Sequence, residues 1–165
     1  MFRRTFFTLA LGAALAACAP GGQVQVPRDT TLILLRHADR KGDQLSEKGR
    51  ARAQALVAAL EGVKIDRIYS PGLDRNLDTA APLAAARGLE VTRIPPTGVA
   101  QRILPESAGQ TVVWVGNKGN LTEIWDALAA PGAPPLEYGD LFFVESGRLG
   151  GPKVTRRRFG ADLDR

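Results

Sequence analysis

The sequence predicts an α/β domain, a three-layer sandwich in which a mainly parallel sheet carries helices on both faces. Short β-branched and leucine-rich runs alternate with segments whose apolar residues recur at helical spacing. Hydrophobic residues make up 44% of the 165 residues, which is enough to build a core. Polar residues follow several predicted strands at 36–40, 70–71 and 116–120. Because sheets of this class bind ligands at the carboxyl ends of their strands, we expect these three segments to face one crevice.

Three strands and two helices are predicted in the first half of the domain. The strands are expected at 31–36, 66–70 and 89–94, and the helices at 47–61 and 73–87. Ser46 is suited to cap the first helix, because its hydroxyl accepts a hydrogen bond from a free backbone N–H. Gly62 and Gly88 follow the two helices, and glycine at such positions is typical of a helix C-terminus.

The second half contains a connector, one strand, one helix and a closing hairpin. Proline and glycine punctuate residues 95–110, where at most one helical turn is expected near 99–104. The strand is predicted at 111–115, the helix at 120–130, and the hairpin strands at 141–145 and 153–159. The arginines at 156–158 either contact anionic lipid headgroups or keep an exposed edge strand from pairing with other chains.

The composition excludes several kinds of site. Lys and Arg number 22 against 17 Asp and Glu, which gives a formal net charge of +5 at pH 7. The chain contains one histidine and one cysteine. These counts exclude a disulfide framework, a cysteine-based zinc site and any mechanism within one chain that needs two histidines. We expect no cofactor, no metal and no nucleic-acid partner.

The predicted domain occupies residues 30–165 and is preceded by segments of another kind. Residues 1–17 carry two arginines and then an apolar run, which is typical of an export signal. The run ends in Leu15-Ala16-Ala17-Cys18, which resembles the lipobox of bacterial lipoproteins. That resemblance implies lipidation of Cys18, a polar tether at 18–29, and membrane anchoring. Ala19 is not aspartate, which favours the outer membrane, facing the periplasm. An ordinary signal peptide is the alternative.

His37 is the first candidate for chemistry. It leaves the first predicted strand directly after Arg36, and Arg40 follows three residues later. Neighbouring guanidiniums favour the neutral imidazole, which is the form that attacks phosphorus. The same guanidiniums are suited to bind phosphate oxygens through paired hydrogen bonds. A nucleophile for phosphoryl transfer is therefore one interpretation of His37, and a structural histidine is the other.

Three segments in order resemble the motifs of the histidine phosphatase superfamily. They are LRHAD at 35–39, LSEKGRARA at 45–53 and YSPGLDRNLDTA at 69–80. The resemblance implies that His37 takes the phosphoryl group and that Arg36 and Arg75 hold its oxygens. Asp39 and Arg40 are expected either to support the site or to be exposed. The implied ligand is a phosphorylated small molecule or another anion.

The fourth motif of that family departs from its pattern here. A second histidine is expected directly after the apolar strand, and this chain has GNKGN at 116–120, with Asn117 in its place. Asparagine donates a hydrogen bond but carries no charge. Lys118 would restore the charge if its side chain pointed into the site. Glu106 is the acidic residue of the 95–110 connector and is either a proton donor or a turn residue. Two hypotheses follow: a weak or inactive phosphatase that binds an anionic ligand, or an active phosphomonoesterase using His37.

Overall fold

A computed structural model of the protein describes residues 23–147 and 151–164. The expected signal peptide and Cys18 lie outside these residues, so the lipid anchor stays a prediction. Within the described residues, no helix has both the length and the apolar character needed to cross a bilayer.

A six-stranded mixed sheet forms the centre of the domain. The strands are β1 (Thr31–Arg36), β2 (Arg40–Lys41), β3 (Gln44–Leu45), β4 (Arg67–Ser70), β5 (Val91–Arg93), β6 (Thr111–Gly116), β7 (Asp140–Ser146) and β8 (Pro152–Arg158). The order in the sheet is β5-β4-β6-β1-β7-β8, and β2 pairs with β3 in a separate hairpin. β1, β4, β5 and β6 are parallel, whereas β7 and β8 are antiparallel to their neighbours. β8 is an edge strand, the position in which its three consecutive arginines discourage pairing with another chain.

Helices cover both faces of the sheet, as the sequence predicts. They are α1 (Glu47–Ala59), α2 (Asp74–Arg87), α3 (Val99–Ile103) and α4 (Lys118–Ala127), with 3-10 turns at Leu104–Glu106 and Ala161–Asp164. Alternate residues of β1 supply the two cores: Leu32 and Leu34 pack with α3 and α4, while Ile33 and Leu35 pack with α1 and α2. This alternation follows from the period of two in a strand, and it confirms the three-layer architecture.

One prediction about the chain before β1 needs correction, and one element after β1 was not predicted. The expected tether is in part folded: the Val24 amide donates to the Ala127 carbonyl at 2.8 Å, and Val26 is buried in the core. The domain therefore begins before residue 30. The β2–β3 hairpin is absent from the sequence prediction, because strands of two residues are too short to show a hydrophobic alternation.

The topology brings several chain segments to one edge of the sheet. β1, β4 and β6 are parallel, so the polar segments that follow them meet at their carboxyl ends. β7 runs the opposite way beside β1, so the 128–139 loop that leads into β7 arrives at the same edge. The candidate site is therefore formed by the three expected segments and by one unexpected loop.

Candidate functional site

His37 lies at the end of β1, in the middle of the sheet. Its amide donates to the Gly116 carbonyl at 2.9 Å, and its side chain is 3% exposed. The imidazole Nδ1 lies 2.8 Å from the Ala38 carbonyl oxygen. Because a carbonyl oxygen only accepts, Nδ1 carries the hydrogen of the neutral ring and Nε2 keeps its lone pair. Nε2 has no hydrogen bond within the described part of the chain, so it is the nitrogen able to attack an electrophile.

The environment of His37 favours the neutral imidazole. Burial is the largest cause and lowers the pKa of His37 from 6.5 to about 4. The hydrogen bond to Ala38 opposes this, whereas the charges of Arg36, Arg75 and Arg40 lower the pKa further. The ring is therefore uncharged at neutral pH, and three guanidiniums are close enough to act on it.

α2 is attached directly to the chain that follows β1. The Ala38 amide donates to the Thr79 hydroxyl at 2.9 Å, and that hydroxyl donates to the Arg75 carbonyl at 2.7 Å. The Asn76 side chain donates to the Val115 carbonyl of β6 at 3.0 Å. These bonds explain the asparagine and the threonine of the third motif, since they hold the first turn of α2, and with it Arg75, at the carboxyl edge.

α1 fixes the main chain at Asp39. The Ser46 amide donates to the Asp39 carbonyl at 3.0 Å, and the Ser46 hydroxyl caps the helix by accepting from the Gly49 amide at 3.0 Å. A Cβ on Gly49 would lie 1.9 Å from the Asp39 carbonyl oxygen. Only glycine allows so close an approach, which gives the leucine–serine–x–x–glycine motif its physical reason.

The Asp39 carboxylate supports the loop rather than lining the site. It accepts from Arg52 Nε at 2.6 Å, and the Arg52 side chain is fully buried. Arg52 also donates to the Phe159 and Gly160 carbonyls and to Asp164 Oδ1. Sequence reasoning did not single out Arg52, because an arginine inside a helix is usually a solvated residue. This side chain joins the loop after His37 to the end of the chain.

In the described part of the chain, several of the predicted site residues have buried side-chain atoms whose hydrogen-bonding capacity is unsatisfied. Arg36 Nε, Arg75 Nε and Asn117 Oδ1 are buried and have no hydrogen-bond partner among the described residues. Arg75 Nη1 has a long contact of 3.5 Å to Asp43, whose side chain is almost fully exposed. Buried polar groups are rarely left unpaired. The two arginines can therefore donate to an anion, and rotation of the Asn117 amide would present its amino group as well.

Lys118 and Glu106 do not join His37. Lys118 is exposed, its ammonium lies 3.9 Å from Glu137 Oε1, and its charge is not among the causes of the lowered His37 pKa. Glu106 precedes β6 and lines a cavity with Asp66 and Arg67, at the amino end of the parallel strands. Residues 95–110 run from the carboxyl end of β5 back to the amino end of β6, away from His37. The interpretation of Glu106 as proton donor is therefore wrong, and the turn interpretation holds.

Tyr138 is a site residue that sequence reasoning missed. Its ring lies over the Arg36 guanidinium, with 4.0 Å from Cζ to the ring centroid, and its centroid is 5.8 Å from that of His37. Arg36 Nη2 donates to the Tyr138 hydroxyl at 3.2 Å, and Arg36 Nη1 donates to the Leu136 carbonyl at 3.1 Å. A single tyrosine in a loop, about a hundred positions from its partner, leaves no periodic signal. Only the antiparallel direction of β7 brings it here.

The described residues offer oxyanion ligands and no metal site. No group of three or more His, Cys, Asp and Glu side chains in residues 23–147 and 151–164 is arranged to hold a metal ion. The site instead combines guanidinium donors, a neutral imidazole and an amide. Guanidinium groups match the geometry of phosphate oxygens, and a neutral imidazole can attack phosphorus.

Both the sequence and the architecture match known proteins. Residues 32–96 match the family model of the histidine phosphatase superfamily (branch 1). Bacillus stearothermophilus YhfR aligns with a TM-score of 0.64 and 22% identity, over 76% of this chain and 95% of YhfR. The chain has the histidine-phosphatase fold.

Two further proteins with the histidine-phosphatase fold were solved with bound oxyanions. The protein histidine phosphatase SixA, complexed with tungstate, has a TM-score of 0.64 and 18% identity, over 81% of this chain and 99% of SixA. The mycobacterial glucosyl-3-phosphoglycerate phosphatase Rv2419c, with inorganic phosphate, has a TM-score of 0.60 and 18% identity, over 82% and 99% of the two chains. The sequence matches no curated protein.

His37 should make the stability of this histidine-phosphatase domain depend on pH. Its pKa is about 4 in the folded chain against 6.5 for a free side chain, so between these values the unfolded chain binds the extra proton. The free energy of unfolding should therefore rise with pH from about 4 to 6.5 and gain nothing more from this group above 6.5. Urea unfolding of wild type and His37→Gln across this range measures the effect. Since the chain has one histidine, a difference between the two proteins that stays constant with pH would contradict it.

Proposed function

We propose that this chain is an oxyanion-binding member of the histidine phosphatase superfamily in which turnover is weak or absent. Its ligand is a phosphorylated small molecule or another anion. The observation that carries the proposal is the contrast within the site. The cationic residues around a neutral His37 are retained, whereas position 117, where a second histidine is expected, holds an uncharged asparagine.

Two arginines and one neutral asparagine are better suited to bind an anion than to catalyse its hydrolysis. Arg36 and Arg75 supply charge-assisted donors, and these are the strong hydrogen bonds to phosphate oxygens. Asn117 supplies at most one neutral donor to the charge that develops during transfer. Removing one such donor typically costs about 10²–10³ in rate. The exposed Lys118 ammonium lies 3.9 Å from Glu137 Oε1, which supports a site without its charge.

An active phosphomonoesterase that uses a phosphohistidine intermediate is the second candidate. The hydrogen bond between Nδ1 and the Ala38 carbonyl favours it, since this bond leaves Nε2 unprotonated and available for attack. In that reaction Nε2 would form a bond to phosphorus as the bond between phosphorus and the ester oxygen breaks, and that oxygen would take a proton from water. A second water would then attack phosphorus, break the N–P bond, lose its proton to the hydroxide left by the first step, and leave phosphate and the neutral ring.

Thermal unfolding of the full chain in detergent, with and without tungstate, tests the binding proposal. An anion that binds only the folded state raises the melting temperature by mass action. We expect a clear increase for wild type and for Arg67→Gln, whose guanidinium lies at the amino end of β4, and little increase for Arg75→Gln. Absence of an increase in the wild type would overturn the proposal and the second candidate together.

Hydrolysis of an aryl phosphate, compared with the His37→Ala variant, decides between the two candidates. The proposal expects turnover no more than about tenfold above that variant. Turnover at the ordinary enzymatic scale of about 1–10³ s⁻¹, abolished by His37→Ala, would replace the first candidate with the second.

We also propose that the protein is anchored through a lipid on Cys18 to the bacterial outer membrane, facing the periplasm. Support comes from the sequence Leu15-Ala16-Ala17-Cys18 after an apolar run. Mass spectrometry of the mature protein tests it, because lipidation adds a diacylglycerol to the cysteine and cleavage removes residues 1–17. A free thiol at that position would contradict the proposal.

A further inference from the structure

Tyr138 lies beside both Arg36 and His37. Its hydroxyl accepts a hydrogen bond from Arg36 Nη2 at 3.2 Å while its ring stacks on the same guanidinium at 4.0 Å. The tyrosine ring is also tilted by 58° against the His37 ring, with 5.8 Å between centroids. A ligand that reaches both Arg36 and His37 therefore lies beside Tyr138.

Tyr138 and Arg36 both have hydrogen-bond donors that no acceptor among the described residues uses. A phenol has one hydrogen to donate and also accepts, and Arg36 uses the accepting side. Across residues 23–147 and 151–164 the Tyr138 hydroxyl donates to no protein acceptor. Each terminal nitrogen of Arg36 has two hydrogens, of which one goes to the Leu136 carbonyl or to Tyr138. Unused donors of both residues are therefore neighbours.

The main chain on both sides of Tyr138 is anchored to the domain. Arg158 Nη2 donates to the Tyr138 carbonyl at 3.0 Å, and the Glu137 amide donates to Asp140 Oδ2 at 3.0 Å. Gly139 adopts a positive φ of 85°, and a Cβ there would lie 2.7 Å from the Phe159 carbonyl oxygen. These contacts fix the main chain at Tyr138, and the main chain in turn positions the Tyr138 ring beside Arg36 and His37.

We propose that the Tyr138 hydroxyl is a ligand-binding group that donates a hydrogen bond to an oxygen of the anion held by Arg36. The inference rests on the proposed function, because it assumes an oxyanion beside Arg36. Tyr138 gives the site a neutral donor that comes from the loop before β7, in addition to the donors that follow the parallel strands. A phosphate, tungstate or vanadate oxygen supplies the acceptor that this hydroxyl lacks.

The same contacts allow an opposite role, in which Tyr138 competes with the anion for Arg36. The Tyr138→Phe substitution distinguishes the two roles, because they predict opposite changes in the affinity for the anion. If the hydroxyl donates to the anion, Tyr138→Phe weakens binding. If it only occupies the Arg36 donor, Tyr138→Phe frees that donor and strengthens binding. The phenyl ring and its stacking on the guanidinium remain in both cases.

Isothermal titration of the full chain in detergent with tungstate measures this difference. We expect Tyr138→Phe to raise the tungstate Kd about tenfold, the usual effect of one hydrogen bond to a charged partner. Tyr69→Phe is the matched control, because the Tyr69 hydroxyl also accepts from an arginine, Arg67 Nη1, at 3.2 Å. That pair lies in the cavity with Glu106 at the amino end of the strands, and its loss should leave the Kd unchanged.

The outcomes separate this inference from the function on which it rests. Wild type that binds no tungstate removes the proposed function. Wild type that binds, with an unchanged or lower Kd for Tyr138→Phe, overturns the inference alone. An equal loss of affinity in Tyr69→Phe and Tyr138→Phe also overturns it, since the effect would then be general. A melting temperature of Tyr138→Phe near that of the wild type shows that the variant is folded.

Discussion

Asn117→His is expected to raise the hydrolysis of an aryl phosphate by about 10²–10³, the usual effect of one donor to a developing charge. Position 117 follows Gly116, whose carbonyl accepts from the His37 amide, so the main chain at 117 adjoins that of the nucleophile. The Asn117 backbone is extended, with φ −113° and ψ 164°, which histidine adopts without strain. The Asn120 side chain accepts from the Asn117 backbone amide, so this bond at the start of α4 does not depend on the side chain at 117.

Initial rates with an aryl phosphate at neutral pH provide the measurement. Asn117→Gln is the matched control, because it lengthens the side chain without adding a group that can be charged. The double variant Asn117→His with His37→Ala should return to background, since the gained activity passes through His37. If Asn117→His binds tungstate as the wild type does and still hydrolyses nothing, the missing histidine is not what limits turnover.

Arg52→Met is expected to lower the free energy of unfolding by about 3–5 kcal/mol, the scale for breaking a buried ion pair. The Arg52 side chain is fully buried and bonds to two carboxylates, Asp39 at 2.6 Å and Asp164 at 2.5 Å. Methionine fills similar volume but leaves the Asp39 carboxylate, which is 15% exposed, without its main partner. The Phe159 and Gly160 carbonyls lose donors as well.

Urea unfolding measures the loss, and Lys48→Met is a control with the same partners. Lys48 contacts Asp39 at 3.9 Å and Asp164 at 3.0 Å, but its side chain is 43% exposed. Exposed ion pairs contribute about 1 kcal/mol or less, so Lys48→Met should change stability little. Equal effects of the two substitutions would show that burial of Arg52 is not the source of its contribution. Tungstate affinity should fall in Arg52→Met alone, because Asp39 is two residues from His37.

The elements of the fold could be predicted because each follows from local rules. Ser46 caps α1 as its hydroxyl predicts, and Gly88 ends α2 with a positive φ of 63°. α4 begins at Lys118, two residues before the predicted start, because the Asn120 side chain accepts from the Asn117 amide and starts the helix there. Alternation and helical spacing are properties of neighbouring residues, which a sequence displays directly.

The site could be predicted only where it follows strands. The predicted residues Arg36, His37 and Arg75 and the substituted position Asn117 come to one edge because parallel strands end together. Arg52 and Tyr138 escaped prediction, since their partners are decided by the return of the chain through β7 and the last turn. The choice between the two interpretations of Glu106 stayed open for the same reason: its position along the chain does not indicate which end of the sheet the 95–110 connector reaches.

The position of β1 separates two timescales at this site. β1 lies between β6 and β7, and the His37 amide is bonded across to Gly116. Amides in the middle of a sheet open only with large-scale unfolding. The Leu136 amide, in the loop before β7, donates to the Pro134 carbonyl two residues away, and local bonds of this kind open by local fluctuation. We therefore expect the amide hydrogen of His37 to exchange with solvent only on large-scale unfolding, and that of Leu136 to exchange much sooner.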